Sequence, residues 1–207
     1  MSKDKILALS VVIFIFLTLG ITNPSSFLSS YNMEALLEYA MTYFVAGIGL
    51  TFVIMIGSID LSIGSMLSFF TVLFVMFLNS SGFWAYLLVL ILGALLGFAN
   101  GLIFTRLKIP SFIGTFGAAG IYQSLALIIS GGKPIGVKPV AFRALDFLNA
   151  HIGSLKGSHI LGFSLFALFL VIQYYTPFGR YVYAVGNSEQ ATSLSGVRVY
   201  WVKTLCF

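Results

Sequence analysis

The stretch FWAYLLVLILGALLGFANGLIF, Phe83 to Phe104, contains no charged residue. About 20 such residues in an α-helix cross the hydrocarbon core of a bilayer. The run is continuous, whereas a membrane barrel strand alternates apolar and polar over about 10 residues. The rest of the chain has the same character. Mean hydropathy is +1.03, with 59% hydrophobic and 8% charged residues, against about 25% charged in ordinary soluble domains. A water-soluble chain of 207 residues cannot hide that much apolar surface. In a bilayer every backbone polar group must be bonded internally, which favours helices here. The predicted fold is an all-α, polytopic transmembrane bundle.

Working outward, six apolar stretches fall near 6–22, 35–57, 61–79, 83–104, 111–130 and 159–175, and a seventh begins at Thr204. The first follows Lys3 and Lys5, as a cleaved signal peptide would. No A-x-A site follows it, and Thr22-Asn23-Pro24-Ser25-Ser26 reads as a helix stop and turn, so a retained span is expected. With the N-terminus inside, the inner segments hold Lys3, Lys5, Arg106, Lys108, Arg180, Arg198 and Lys203. Only Lys133, Lys138, Arg143 and Lys156 fall outside, in one external loop, 131–158. The denser charge on short inner loops fits a cytoplasmic N-terminus. The net charge of +5 is scattered between apolar runs with no basic stripe, so it argues for membrane orientation over nucleic-acid binding.

The apolar pattern breaks at Gly57-Ser58-Ile59-Asp60-Leu61-Ser62-Ile63-Gly64-Ser65. Ser58 or Asp60 has a side-chain oxygen able to cap a new helix. An Asp at the bilayer centre costs about 2.5–3.5 kcal/mol on insertion scales, so Asp60 should face protein, water or the interface. Elsewhere Gly93, Gly97 and Gly101 make one smooth helix face suited to close packing, and Gly114, Gly117 and Gly120 read the same way.

No phosphate loop, nucleophile elbow or metal-spaced cluster occurs in the sequence. Gly131-Gly132-Lys133-Pro134 lacks the spacing and the hydroxyl of a phosphate loop. Cys206 is the single cysteine, and His151 and His159 share one polar loop. A non-enzymatic role without cofactor or metal is expected, with any energy for transport coming from another chain or an ion gradient.

The segment Thr176–Lys203 carries a short helix signal. Asn187 is a candidate cap, Gln190 sits at the capping-box position, Glu189 suits the positive helix end and Gly196 is a natural stop. A helix of about two turns needs a docking surface to be stable. Ala191, Leu194 and Ser195 could meet a partner's groove or pack on the chain itself.

Together these residues carry a resemblance. Thr176-Pro177-Phe178-Gly179-Arg180 through Asn187 to Ser195-Gly196-Val197 resembles the cytoplasmic coupling loop of ribose-type monosaccharide ABC importer permeases. Gly57 to Ser65 resembles that family's GGIDLS-type signature. Gly93 to Gly101, Lys108-Ile109-Pro110-Ser111-Phe112-Ile113 and Ser130-Gly131-Gly132-Lys133-Pro134-Ile135 follow in order and spacing, so the likeness runs from about Leu36 onward.

The resemblance implies a permease in the bacterial inner membrane. It would pair with a second copy or sister permease, two ABC ATPase subunits and a periplasmic or lipid-anchored sugar-binding protein. Residues Asn187, Glu189, Gln190, Ala191, Leu194, Ser195 and Gly196 would form the coupling helix, with Arg180 beside it. Gly57, Asp60, Ser62 and Gly64 match the signature, which either touches sugar or shapes the helix break. Substrates in the family include pentoses, hexoses and autoinducer-2. Tyr39, Tyr43, Tyr122 and Gln123 could offer sugar contacts, though interface anchoring or packing suits each as well.

Ser58 stands where the family commonly has a second glycine, and Gln190 where it has a second acid. Family members continue with several more spans, so the chain is read as the N-terminal, partial permease domain, 1–207. The competing readings are an ion-coupled secondary transporter or channel using Asp60, and a non-functional remnant.

Overall fold

The computed structural model describes residues 3–153 and 155–207. The side chains of Lys3 and Lys5, on which the N-terminal charge count leans, lie outside the described residues, as does Ser154 of the 131–158 loop. Two compact units divide between Tyr43 and Phe44.

In the first unit, helix α1 (Lys3–Thr22) stops just before Asn23-Pro24, and Pro24 opens the one-turn α2 (Pro24–Phe27). Proline suits a first helical position because its missing N–H would be unsatisfied there in any case. Asn32 Nδ2 donates to the Phe27 carbonyl at 2.7 Å, and the Phe16 and Phe27 rings meet edge to face at 5.0 Å. Helix α3 (Ser30–Met55) starts here and runs across the division.

The second unit adds α4 (Ile63–Ser81), α5 (Trp84–Leu107), α6 (Ser111–Ser130) and α8 (Gly157–Tyr175) as long helices. Between α6 and α8 lie a 3-10 helix (Pro139–Leu145), the short α7 (Asp146–Asn149) and a two-residue antiparallel pair, β1 (His151–Ile152) with β2 (Leu155–Lys156). Local chemistry sets the ends. Gly82 closes α4 with a positive φ of 55°, and Pro110 in an extended conformation starts α6. Gly131 and Gly132 close α6, with the Gly132 N–H donating to the Leu127 carbonyl at 2.9 Å, a Schellman closure that glycine allows.

Among the described residues, α3, α4, α5, α6 and α8 are long and apolar enough to cross a membrane. The most apolar stretches of these helices are only 11–17% buried. Their large exposed aliphatic and aromatic side chains suit hydrocarbon as the outer solvent. The chain is an all-α polytopic membrane bundle. The expected first span, 6–22, is helical, though its apolar part, Leu9–Thr22, is shorter than the others.

After α8 the structure departs from a loop reading. Residues 177–205 form three helices: α9 (Pro177–Asn187), α10 (Glu189–Leu194) and α11 (Val199–Leu205). Val182 and Val185 of α9 join Phe52 and Ile56 of α3 with Val199, Val202 and Cys206 in one core cluster. The seventh helix therefore begins at Val199, five residues before Thr204. Val199 and Val202 are both buried in this core, which draws the preceding turn into the helix.

Two further clusters hold the bundle. Phe69, Tyr122 and Ala126 join α4 to α6, with Phe69 and Tyr122 stacked at 6.0 Å. Leu78, Ala85 and Ala141 join the α4–α5 corner to the 3-10 helix.

Candidate functional site

The break between α3 and α4 is built from paired polar groups. Gly57 (φ 72°) follows the end of α3, and the Ser58 N–H donates back to the Val53 carbonyl at 3.0 Å. Beyond it residues 58–62 form no helix or strand, so their amides need partners from elsewhere. Helix α6 supplies them. Ser111 Oγ accepts from the Ile59 N–H at 3.0 Å and Thr115 Oγ1 from the Leu61 N–H at 3.0 Å. Thr115 Oγ1 lies 2.9 Å from the Ser111 carbonyl and 3.4 Å from the Ile59 carbonyl, so its proton is shared.

Asp60 completes the turn. Its Oδ1 accepts from both the N–H and the hydroxyl of Ser62, each at 2.7 Å. Ser62, not Ser58 or Asp60, takes the N-cap position of α4, and its side chain makes no cap hydrogen bond. The capping expectation is corrected: Asp60 closes a local turn two residues on, and that turn claims the Ser62 hydroxyl.

From Ser62 a line of hydrogen bonds crosses the bundle. Asn100 Nδ2 of α5 donates to Ser62 Oγ at 3.2 Å, and Tyr122 Oη of α6 donates to Asn100 Oδ1 at 2.9 Å. Ser62, Asn100 and Tyr122 are buried. Every donor in this line is directed toward the Asp60 carboxylate, so successive hydrogen bonds polarise one another in the same sense. Tyr122 therefore packs in the bundle, while Tyr39, Tyr43 and Gln123 are exposed.

The glycines divide by neighbour. A Cβ on Gly101 would collide with the Thr204 carbonyl, and one on Gly97 would lie 2.5 Å from the Phe207 carbonyl. Gly97 and Gly101 thus mark where α11 crosses α5, an approach fastened by Thr105 and Thr204 hydroxyls 2.9 Å apart. Gly93 faces the Phe70 ring at an ordinary 3.8 Å, and Gly64 has open space. On α6 a Cβ at Gly117 or Gly120 would meet nothing within 4 Å. Of that row only Gly114 packs closely, with Ile109 3.3 Å from where its Cβ would stand; Ser111, Thr115, Tyr122 and Ala126 form the buried side of α6 among the described residues.

The second candidate region is the α8–α11 corner. Thr176 caps α9 by accepting from the Gly179 N–H at 3.3 Å. Gly179 and Gly186 permit backbone contact, since a Cβ there would strike the carbonyls of Gln173 and Met55 respectively. Ser188 caps α10 by accepting from the Ala191 N–H at 3.3 Å, whereas Asn187 ends α9. The predicted box of Asn187 and Gln190 is corrected by one residue, because the Ser188 hydroxyl reaches the free amide.

Helix α10 has six residues. Its Thr192 is buried, while Gln190, Ala191, Leu194 and Ser195 face outward and Leu194 is 90% exposed. Glu189 meets Lys203 at 2.7 Å, tying α10 to α11. Arg180 is exposed on α9, and Gly196 (φ 83°) makes the turn after α10.

Sequence reading gives Asn100, Thr115 and Gly186 no role, and Ser111 and Gly179 enter it only as members of family-like motifs. The available signals were a lone amide in an apolar run, two hydroxyls four apart after Pro110, and glycines three and ten residues after Thr176.

Comparison with known proteins finds permease relatives. The chain is 33% identical over 205 residues to the autoinducer 2 import system permease protein of Salmonella typhi, covering 97% of this chain and 57% of that protein. It is 30% identical over 206 residues to the ribose import permease protein of Haemophilus influenzae, covering 95% and 62%. With the ribose import permease protein of Bacillus subtilis the identity is 32% over 192 residues, covering 91% and 59%. The chain thus spans about three-fifths of the length of these relatives. No solved structure matches. The resemblance drawn from motifs holds, and residues 32–207 match the branched-chain amino acid transport system / permease component: the chain belongs to that permease family.

Proposed function

We propose that this chain forms the membrane path and mechanical link of an ATP-driven ABC importer for a monosaccharide of the ribose, xylose or galactose kind. The observation that carries this is the exposed tip of α10, where Leu194 stands 90% exposed on a helix capped by Ser188. A six-residue helix has little stability of its own. One presenting a bare leucine beside Ala191 and Ser195 suits a groove on an ATPase subunit. Relatives named for import of ribose and autoinducer 2 support the transport class.

In this reading the chain lies in the bacterial inner membrane with its N-terminus in the cytoplasm. It works with a second permease copy or sister permease, an ABC ATPase and an external sugar-binding protein, in contact with membrane lipid and not nucleic acid. ATP hydrolysis occurs on the ATPase; Arg180, Asn187, Glu189, Gln190 and Gly196 flank the contact. Ion coupling through Asp60 is disfavoured, because Ser62 already engages its carboxylate and Asp60 is the single acid of the break.

Co-purification of the chain with its ATPase subunit tests the proposal. The complex should be lost with Ala191→Arg or Leu194→Asp and retained with Gly93→Ala. Undiminished ATPase binding by both tip variants would overturn the coupling assignment.

A further inference from the structure

The 3-10 helix at the α4–α5 end is held rigidly. Asn79 clamps its approach, with Nδ2 donating to the Gly136 carbonyl at 2.9 Å and Oδ1 accepting from the Lys138 N–H at 2.7 Å. Tyr86 Oη donates to the Ala144 carbonyl at 3.0 Å. Ala141 is buried against Leu78 and Ala85. A loop fixed at three points has given up its conformational freedom, yet its neighbouring apolar residues are turned outward. Val140 is 88% exposed and Phe142 53% exposed.

The surroundings identify what meets them. Phe83, Tyr86 and Phe147 form a ring cluster with centroids 5.2–5.8 Å apart. Trp84, at the start of α5, is exposed beside them. Tryptophan and other aromatics gather at the level of the headgroups, where an amphipathic ring is stable. The exposed apolar surface continues down α5 through Leu87, Leu88 and Leu90, which face hydrocarbon in a spanning helix.

Charge points the same way. Residues 131–158 hold Lys133, Lys138, Arg143 and Lys156 against one acid, Asp146. Lys138 and Arg143 are exposed and bracket Val140 and Phe142. Long basic side chains beside apolar residues reach headgroup phosphates while their stems stay in the apolar layer.

The geometry points to the 3-10 helix as an interfacial lipid anchor, with Val140 and Phe142 in the headgroup–acyl boundary and Lys138 and Arg143 on anionic phosphates. This goes beyond the transport reading. It also gives a role to two of the basic residues of the long loop, Lys138 and Arg143, whose charges headgroups would neutralise.

The full chain is tested in vesicles of phosphatidylcholine with and without phosphatidylglycerol. An environment-sensitive NBD-maleimide is placed at Val140→Cys, at Phe142→Cys, and at Gln190→Cys as a water-exposed control. Wild type, with Cys206 buried, reports background labelling. Both loop sites should emit at shorter wavelength than the control and be quenched by spin-labelled lipid at least about threefold more strongly. Phosphatidylglycerol should deepen the quenching, and Lys138→Gln with Arg143→Gln should remove that increment. Water-like emission at both loop sites overturns the anchor. Shielding that appears only when a binding protein is added does so as well, and identifies a protein-docking surface instead.

Discussion

Asn100 Nδ2 lies 3.2 Å from Ser62 Oγ, so an amide in the middle of α5 holds the first residue of the α4 turn. Asn100 also accepts from Tyr122, and it is the only direct link in this line between the break and the tyrosine on α6. Replacing it by leucine leaves the Tyr122 hydroxyl without an acceptor and Ser62 Oγ without a donor. The expected loss is about 1–3 kcal/mol per buried polar group left unpaired. Thermal unfolding in detergent should show Asn100→Leu markedly destabilised, with Tyr122→Phe milder. A double-mutant cycle should show the two effects to be non-additive.

Thr115→Val keeps the shape of the side chain and removes the acceptor for the Leu61 N–H and the donor shared with the Ile59 carbonyl. The structure predicts destabilisation of about 1–3 kcal/mol. Amide hydrogen exchange should rise at Leu61 in this variant. Unchanged protection at Leu61 would show that the break does not depend on α6.

Gly101→Ala places a methyl group against the Thr204 carbonyl and Cα, forcing α11 outward. Overpacking of this kind costs about 1–3 kcal/mol. Maleimide labelling of Cys206, buried in the wild type, should become faster. Gly93→Ala, facing a ring at 3.8 Å, should leave both stability and labelling near wild type.

Glu189→Gln removes the partner of Lys203, but the glutamate side chain is 58% exposed. Exposed pairs contribute about 0–1 kcal/mol, so unfolding should shift little. Retention of the α10 helix in this variant, read by proteolysis near Leu194, checks that Ser188 and not the ion pair carries the local fold.

Much of the fold was legible because apolar length and continuity leave few options in a bilayer. The turn at Asn23-Pro24 and the break at Gly57 followed from residue chemistry alone. The α9 helix was hidden because a segment after a span, rich in tyrosine and glycine, reads as a loop. Its helical face emerges only once Val182 and Val185 have Phe52 and Ile56 to pack on. The polar line was hidden for a related reason. Asn100, Ser111 and Thr115 become meaningful only when α5 and α6 meet the irregular residues between α3 and α4. The glycine rows show the reverse limit, since two rows read alike gave close contact at Gly97 and Gly101 on α5 and empty space at Gly117 and Gly120 on α6.

The seat of Gly186 on the Met55 carbonyl has a mechanical consequence. Backbone meets backbone there, with no side chain between to bend or change rotamer. In the proposed coupling role, a load at Leu194 would pass through the short Ser188 turn into α9 and reach the end of α3 through this contact. A joint of this kind would act as a stiff crank, and adding even one methyl group at Gly186 should force α9 away from the Met55 carbonyl.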